Sequence, residues 1–122
     1  MKYFEWINAL SSIYLEDSYV LEVRERASEI EFEMEFVLQD SHPCYTIPKE
    51  GEMYCYRRGI IRLRNCLDIS WTNKQYALRQ RLEDRDYCNI DAFYSDGDKI
   101  FIEGDWGQLS LRSDEIIVLL VS

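Results

Sequence analysis

The strongest regularity in the chain is a strict two-residue alternation in which Ile30, Phe32, Met34 and Phe36 interleave with Glu29, Glu31, Glu33 and Glu35. Successive side chains on a strand point to opposite faces, so this period predicts a half-buried strand with one apolar and one acidic face. Upstream, Tyr19, Leu21 and Val23 alternate with Val20, Glu22 and Arg24, and the intervening Arg26-Ala27-Ser28 is short enough to close an antiparallel hairpin. Nearer the start, Phe4, Ile7 and Leu10 recur at helical spacing, with Trp6 and Ala9 widening the stripe; a short N-terminal helix is predicted there.

Both prolines, Pro43 and Pro48, fall within residues 39–51 beside Asp40, Ser41 and Gly51, which predicts a long loop. Strand character returns from Glu52 to Arg64, with Gly59 where a bulge would bend the strand, and again from Cys66 to Thr72. Tyr76, Leu78 and Leu82 suggest a short helix over residues 73–86, where the density of Arg and Asp also fits an exposed connection. The last third reads as a meander. Ile90, Ala92 and Tyr94 lead into Asp96-Gly97, a pair suited to a type I′ hairpin turn. Lys99–Glu103 returns, Gly104-Asp105-Trp106-Gly107 turns, and Leu109 and Leu111 alternate with polar neighbours. Glu115–Val121 is apolar on both faces and is expected inside the sheet or beneath the helix. The fold class expected is α+β, mostly β: an antiparallel curved sheet or partly open barrel of seven or eight strands with a short N-terminal helix.

Length and composition fit that picture. At 122 residues the chain matches a single domain over 1–122, and 47% hydrophobic and 14% aromatic residues supply a core without disulfides. Glu5 and Asn8 interrupt the apolar residues of the first eight, so no export signal is expected, and the longest apolar run is strand-sized. The cytoplasm is therefore the expected location, with no membrane association, and Cys44, Cys55, Cys66 and Cys88 are expected as thiols packed like small core hydrophobes. Their separations of 11, 11 and 22 residues match no metal-ligand spacing, and neither a metal nor a cofactor is expected.

Charge narrows the partners. The net −9 disfavours nucleic acid, whose phosphates require clustered Lys and Arg. The charge is also uneven: residues 1–56 carry a net −8, residues 57–81 +6 and residues 82–122 −7, an order that suggests pairing between segments. Glu29, Glu31, Glu33 and Glu35 form either an acidic docking face or a solvated row matched by Arg24, Arg26, Arg62 and Arg64 on neighbouring strands.

The richest set of chemically able groups lies between Ser41 and Arg58. His42, Tyr45, Tyr54, Tyr56, Arg57 and Arg58, joined by Trp71, can be arranged as a pocket in which guanidinium forks grip an anion between aromatic walls. The competing reading packs the tyrosines and pairs the arginines with acids. Trp106, in a tight turn, either plugs one end of the core or stands out as a contact residue. His42 is the single histidine and Cys44 lies two residues on, yet no nucleophile elbow or other catalytic motif accompanies them, so no enzyme is expected.

Two functions follow as expectations. One is a small acidic, non-enzymatic interaction protein of the bacterial-immunity type, neutralising a basic partner by charge complementarity. The other is a small-molecule or anion-binding pocket, open to catalysis, built on the Tyr/Arg cluster of residues 45–58.

Overall fold

The computed structural model describes residues 1–72 and 89–121. The helix expected over 73–86, and Cys88, lie outside the described residues. Among the described residues, eight strands form two four-stranded antiparallel sheets. The first holds β1 (Ile13–Arg26), β2 (Glu29–Leu38), β3 (Cys55–Arg64) and β8 (Glu115–Leu120) in the order β1-β2-β3-β8. The second holds β4 (Leu67–Thr72), β5 (Ile90–Asp96), β6 (Lys99–Gly104) and β7 (Gly107–Arg112) in the order β4-β7-β6-β5. The mostly β, α+β class is as expected; the strands divide between two facing sheets, and the described residues close no barrel.

The alternation at Glu29–Phe36 does what its period dictates. Ile30, Phe32, Met34 and Phe36 are fully buried, while the four glutamates lie half-buried on the opposite face. Phe32 meets the edge of Trp106 from the second sheet at 5.1 Å, so one core joins both layers. Burying a Phe, Met or Ile side chain stabilises by roughly 1.5–3 kcal/mol, which makes this strand a principal contributor to the fold.

Several local expectations are corrected. The N-terminal helix is split: α1 spans Tyr3–Trp6, Ile7 is extended, and a 3-10 turn covers Asn8–Leu10. The split lets Tyr3, Ile7 and Leu10 all reach the core. Gly59 forms no bulge, because β3 keeps unbroken register with β2 and β8. Its reason is close approach: a Cβ there would collide with the Leu119 carbonyl and come within 2.6 Å of the Phe36 ring. In the β5–β6 hairpin, Asp96 pairs with Lys99, leaving Gly97-Asp98 as the central residues, and only Gly97 has positive φ, at 64°. That is the type II′ pattern, with glycine first, in place of I′. Finally, β8 is an edge strand, beyond β3, instead of a central one.

β1 is the irregular member. Between Tyr14 and Tyr19 it advances five residues while β2 advances two, from Val37 to Glu35. The excess loops outward, leaving Leu15 buried and Glu16 and Asp17 exposed. Buried Ser18 secures the loop, its hydroxyl donating to the Tyr14 carbonyl at 2.6 Å and accepting the Val37 N–H at 2.9 Å.

Candidate functional site

The β1 loop delivers its carboxylates toward β5. Asn89, just ahead of β5, donates its side-chain amide to the carbonyls of Glu16 (3.2 Å) and Ser18 (2.7 Å), while its own carbonyl accepts the Trp106 indole N–H at 3.2 Å. The loop is thus clamped to the second sheet through a residue anchored on the core.

Below it, the buried Tyr3 hydroxyl accepts the Leu15 N–H at 3.2 Å and lies 3.0 Å from Glu16 Oε2 and 3.1 Å from the Ile13 carbonyl. Burial, with the nearby Glu16 charge adding to it, pushes the Tyr3 phenol up to about 12. These contacts orient the Glu16 carboxylate at the mouth of a cleft of about 250 Å³, whose other walls include Lys2, Asp91, Phe93 and Tyr94. Asp91 is raised above the ordinary carboxylate range, first by desolvation and then by the like charge of Asp105. A carboxylate held under those conditions is stabilised by any cation brought beside it. The cleft therefore combines two acids with an aromatic wall, a setting that fits the charged head and apolar stem of a Lys or Arg side chain.

None of Glu16, Asp91 and Tyr94 stood out in the sequence. Glu16 and Asp91 are remote along the chain, and only the β1 irregularity brings them to one cleft; the sole local hint is Glu16-Asp17-Ser18 interrupting the alternation of β1.

The glutamate row is matched by arginines. Glu31 receives Arg24 at 3.0 Å and Arg62 at 2.8 Å, Glu33 receives Arg24 at 3.3 Å, Glu35 faces Arg58 at 3.6 Å, and Glu29 lies 3.7 Å from both Arg62 and Arg64. It is a mixed-charge ladder across three strands.

The Tyr/Arg set is only partly gathered. Tyr19 stacks on Tyr56 at 6.2 Å and Tyr54 meets Tyr56 edge-on at 6.1 Å, and burial raises the Tyr56 phenol. Arg57 and Arg58 are successive strand residues and point to opposite faces: Arg57 donates to Thr46 Oγ1 at 3.2 Å, whereas Arg58 joins the glutamate ladder. Tyr45 and Tyr54 line a shallow hollow of about 250 Å³ that neither arginine enters. Trp71 stands in the second sheet, edge-on to Trp106 at 5.8 Å with its indole N–H donated to Glu25 at 3.2 Å. Trp106 itself is 2% exposed and plugs the core.

His42 accepts the backbone N–H of Cys44 through Nδ1 at 2.9 Å, and desolvation lowers its pKa. That bond fixes Nδ1 as an acceptor and turns it to the Cys44 backbone instead of the thiol. Cys44 is exposed, against expectation, because the loop carries it off the sheet, whereas Cys55 and Cys66 are buried free thiols. Among the described residues, no three His, Cys, Asp or Glu side chains stand close enough to hold a metal ion, and no helix is long and apolar enough to cross a membrane.

No protein-family model, curated protein or solved structure matches the chain.

Proposed function

We propose that this protein is a non-enzymatic binding protein that recognises a basic partner protein, seating a Lys or Arg side chain in the acidic cleft between α1, β1 and β5. The observation that carries the reading is the unequal treatment of the acids. On the first sheet the glutamates are matched by arginines, whereas at the cleft Glu16 and Asp91 share a wall in which Lys2 is the one cationic side chain among the described residues. Desolvation, with the like charge of Asp105 adding to it, disfavours the Asp91 carboxylate, and a guanidinium or ammonium brought beside Asp91 from outside favours it. Tyr94, 37% exposed, offers the apolar surface along which such a side chain lays its stem.

The test is fluorescence anisotropy with labelled Lys- and Arg-rich peptides, against a matched peptide in which Gln replaces the bases. The reading expects binding of the basic peptides that weakens with added salt. It also expects Glu16→Gln and Asp91→Asn each to weaken binding by about tenfold, roughly the value of one charge-assisted contact. Equal binding of the neutral peptide, or binding indifferent to both substitutions, sinks it.

A further inference from the structure

A sheet edge carries unpaired N–H and C=O groups that template another strand, and proteins blunt such edges with bulges, charges, short strands or a covering segment. Three of the four edges here are blunted. β1 breaks register twice and carries Glu22, Arg24, Glu25 and Arg26. β4 is short, loses register between Leu67 and Ser70, and holds Asp68 at a φ of 53°. β5 is covered by the N-terminal residues: Lys2 bridges to Tyr94, the Met1 ammonium donates to the Ser95 carbonyl at 2.7 Å, and the Ser95 N–H returns to Met1 at 2.8 Å.

β8 is as short as β4, at six residues, but among the described residues it has neither a register break nor a covering segment. Its register with β3 is unbroken, and no charged residue follows Glu115 along it. The Val121 N–H bonds the Arg58 carbonyl at 2.9 Å. Antiparallel alternation then directs the backbone groups of 115, 117 and 119 toward β3 and those of Ile116, Val118 and Leu120 toward the open side. The outer face adds Ile117, Leu119 (47% exposed) and Val121, next to Ile60.

We propose that β8 is a self-pairing edge: two copies of the chain join β8 to β8, antiparallel about a two-fold axis at Val118, into one continuous sheet. Three observations favour a second copy as the occupant. Centred on Val118, the open backbone groups meet their own kind in register, Val118 with Val118, and Ile116 with Leu120. The same register keeps faces matched, setting Ile117 against Leu119, so apolar residues meet apolar residues along the whole seam. At each end Glu115, held within its own chain by Arg64 at 3.2 Å, lies against Val121 of the second copy, whose β3 neighbour is Arg58, itself 3.6 Å from Glu35; each seam end thereby extends these ion pairs across the two copies.

The experiment is sedimentation velocity of the full chain across the micromolar range, on the natural sequence and on Leu119→Lys and Val118→Pro. Val118→Pro removes an outward N–H that β3 does not use, and Leu119→Lys alters an exposed side chain, so that a folded variant is available even if one fails. A monomer–dimer equilibrium is expected, with the dissociation constant raised at least about tenfold by each substitution. Register is read by mixing Glu115→Cys and Val121→Cys copies, both in a Cys44→Ser background, with diamide: a disulfide-linked heterodimer is expected. A natural chain that stays monomeric throughout, variants that dimerise as tightly as it does, or a mixture that fails to cross-link overturns the proposal. A monomer that instead binds a strand of another protein overturns it equally.

Discussion

Arg62 holds Glu31 through two nitrogens, Nε at 2.9 Å and Nη2 at 2.8 Å from the same carboxylate oxygen, Oε1. The other oxygen, Oε2, accepts Arg24 Nη1 at 3.0 Å, so one side chain on β2 ties together β1 and β3. Glu31→Gln deletes the charge while keeping the shape, leaving two guanidiniums facing each other. Urea unfolding is expected to show a lower midpoint for the variant, and the gap to the natural chain is expected to narrow as salt is added, since partly exposed ion pairs are screened.

The backbone contact at Gly59 is more costly to disturb. Gly59→Ala drives a methyl group into the Leu119 carbonyl and the Phe36 ring, and neither β8 nor a fully buried phenylalanine can retreat without moving its neighbours. A loss of about 3 kcal/mol is expected by denaturant unfolding, at the upper end for overpacked sites. A loss below that for Glu31→Gln would contradict the close approach.

Tyr3 supplies an alkaline signature. Its phenol ionises near 12 in the folded chain and near 10.0 once unfolded. Between those values the folded state holds a proton that the unfolded state has released, so stability is expected to fall as pH rises from 10 toward 12. Tyr3→Phe strands the Leu15 N–H without its acceptor, which is expected to cost about 1–3 kcal/mol at neutral pH and to flatten that alkaline decline. Thermal melts across the range check both.

Asp91 works in the same direction at acidic pH. Its folded carboxyl is raised above the model-peptide value of 3.8, so folded chains bind the proton more tightly and stability falls as pH rises through the window above 3.8. Asp91→Asn removes that penalty. The variant is expected to melt higher than the natural chain at neutral pH, with the advantage fading as pH drops toward 3.8, while binding basic peptides less well. Gain of stability with loss of binding is the pattern of a residue kept for recognition.

Much of the first sheet was legible in the chain because its signal is local. The period of two over Glu29–Phe36 reports a face directly, and Arg24, Arg62 and Arg64 could be anticipated opposite the glutamates from their placement on flanking strands, whereas Arg58, expected in a pocket, joins the row at Glu35. The acidic cleft had no such signal: it depends on three surplus residues in β1 and on Asn89 reaching back to Glu16 and Ser18. The Tyr/Arg cluster misled for a related reason. Proximity along the chain put Arg57 and Arg58 together, yet strand geometry turns adjacent residues apart. A strand apolar on both faces reads as central, whereas β8 carries that pattern at a sheet edge.

The burial of Trp106 gives the molecule an internal optical gauge. Its indole sits edge-on between Phe32 of one sheet and Trp71 of the other, shielded from water. If the layers part, solvent reaches the ring and its emission moves toward the red. Fluorescence of a chain carrying Trp6→Phe and Trp71→Phe, which leaves Trp106 as the sole indole, can thereby time the docking of the two layers during refolding.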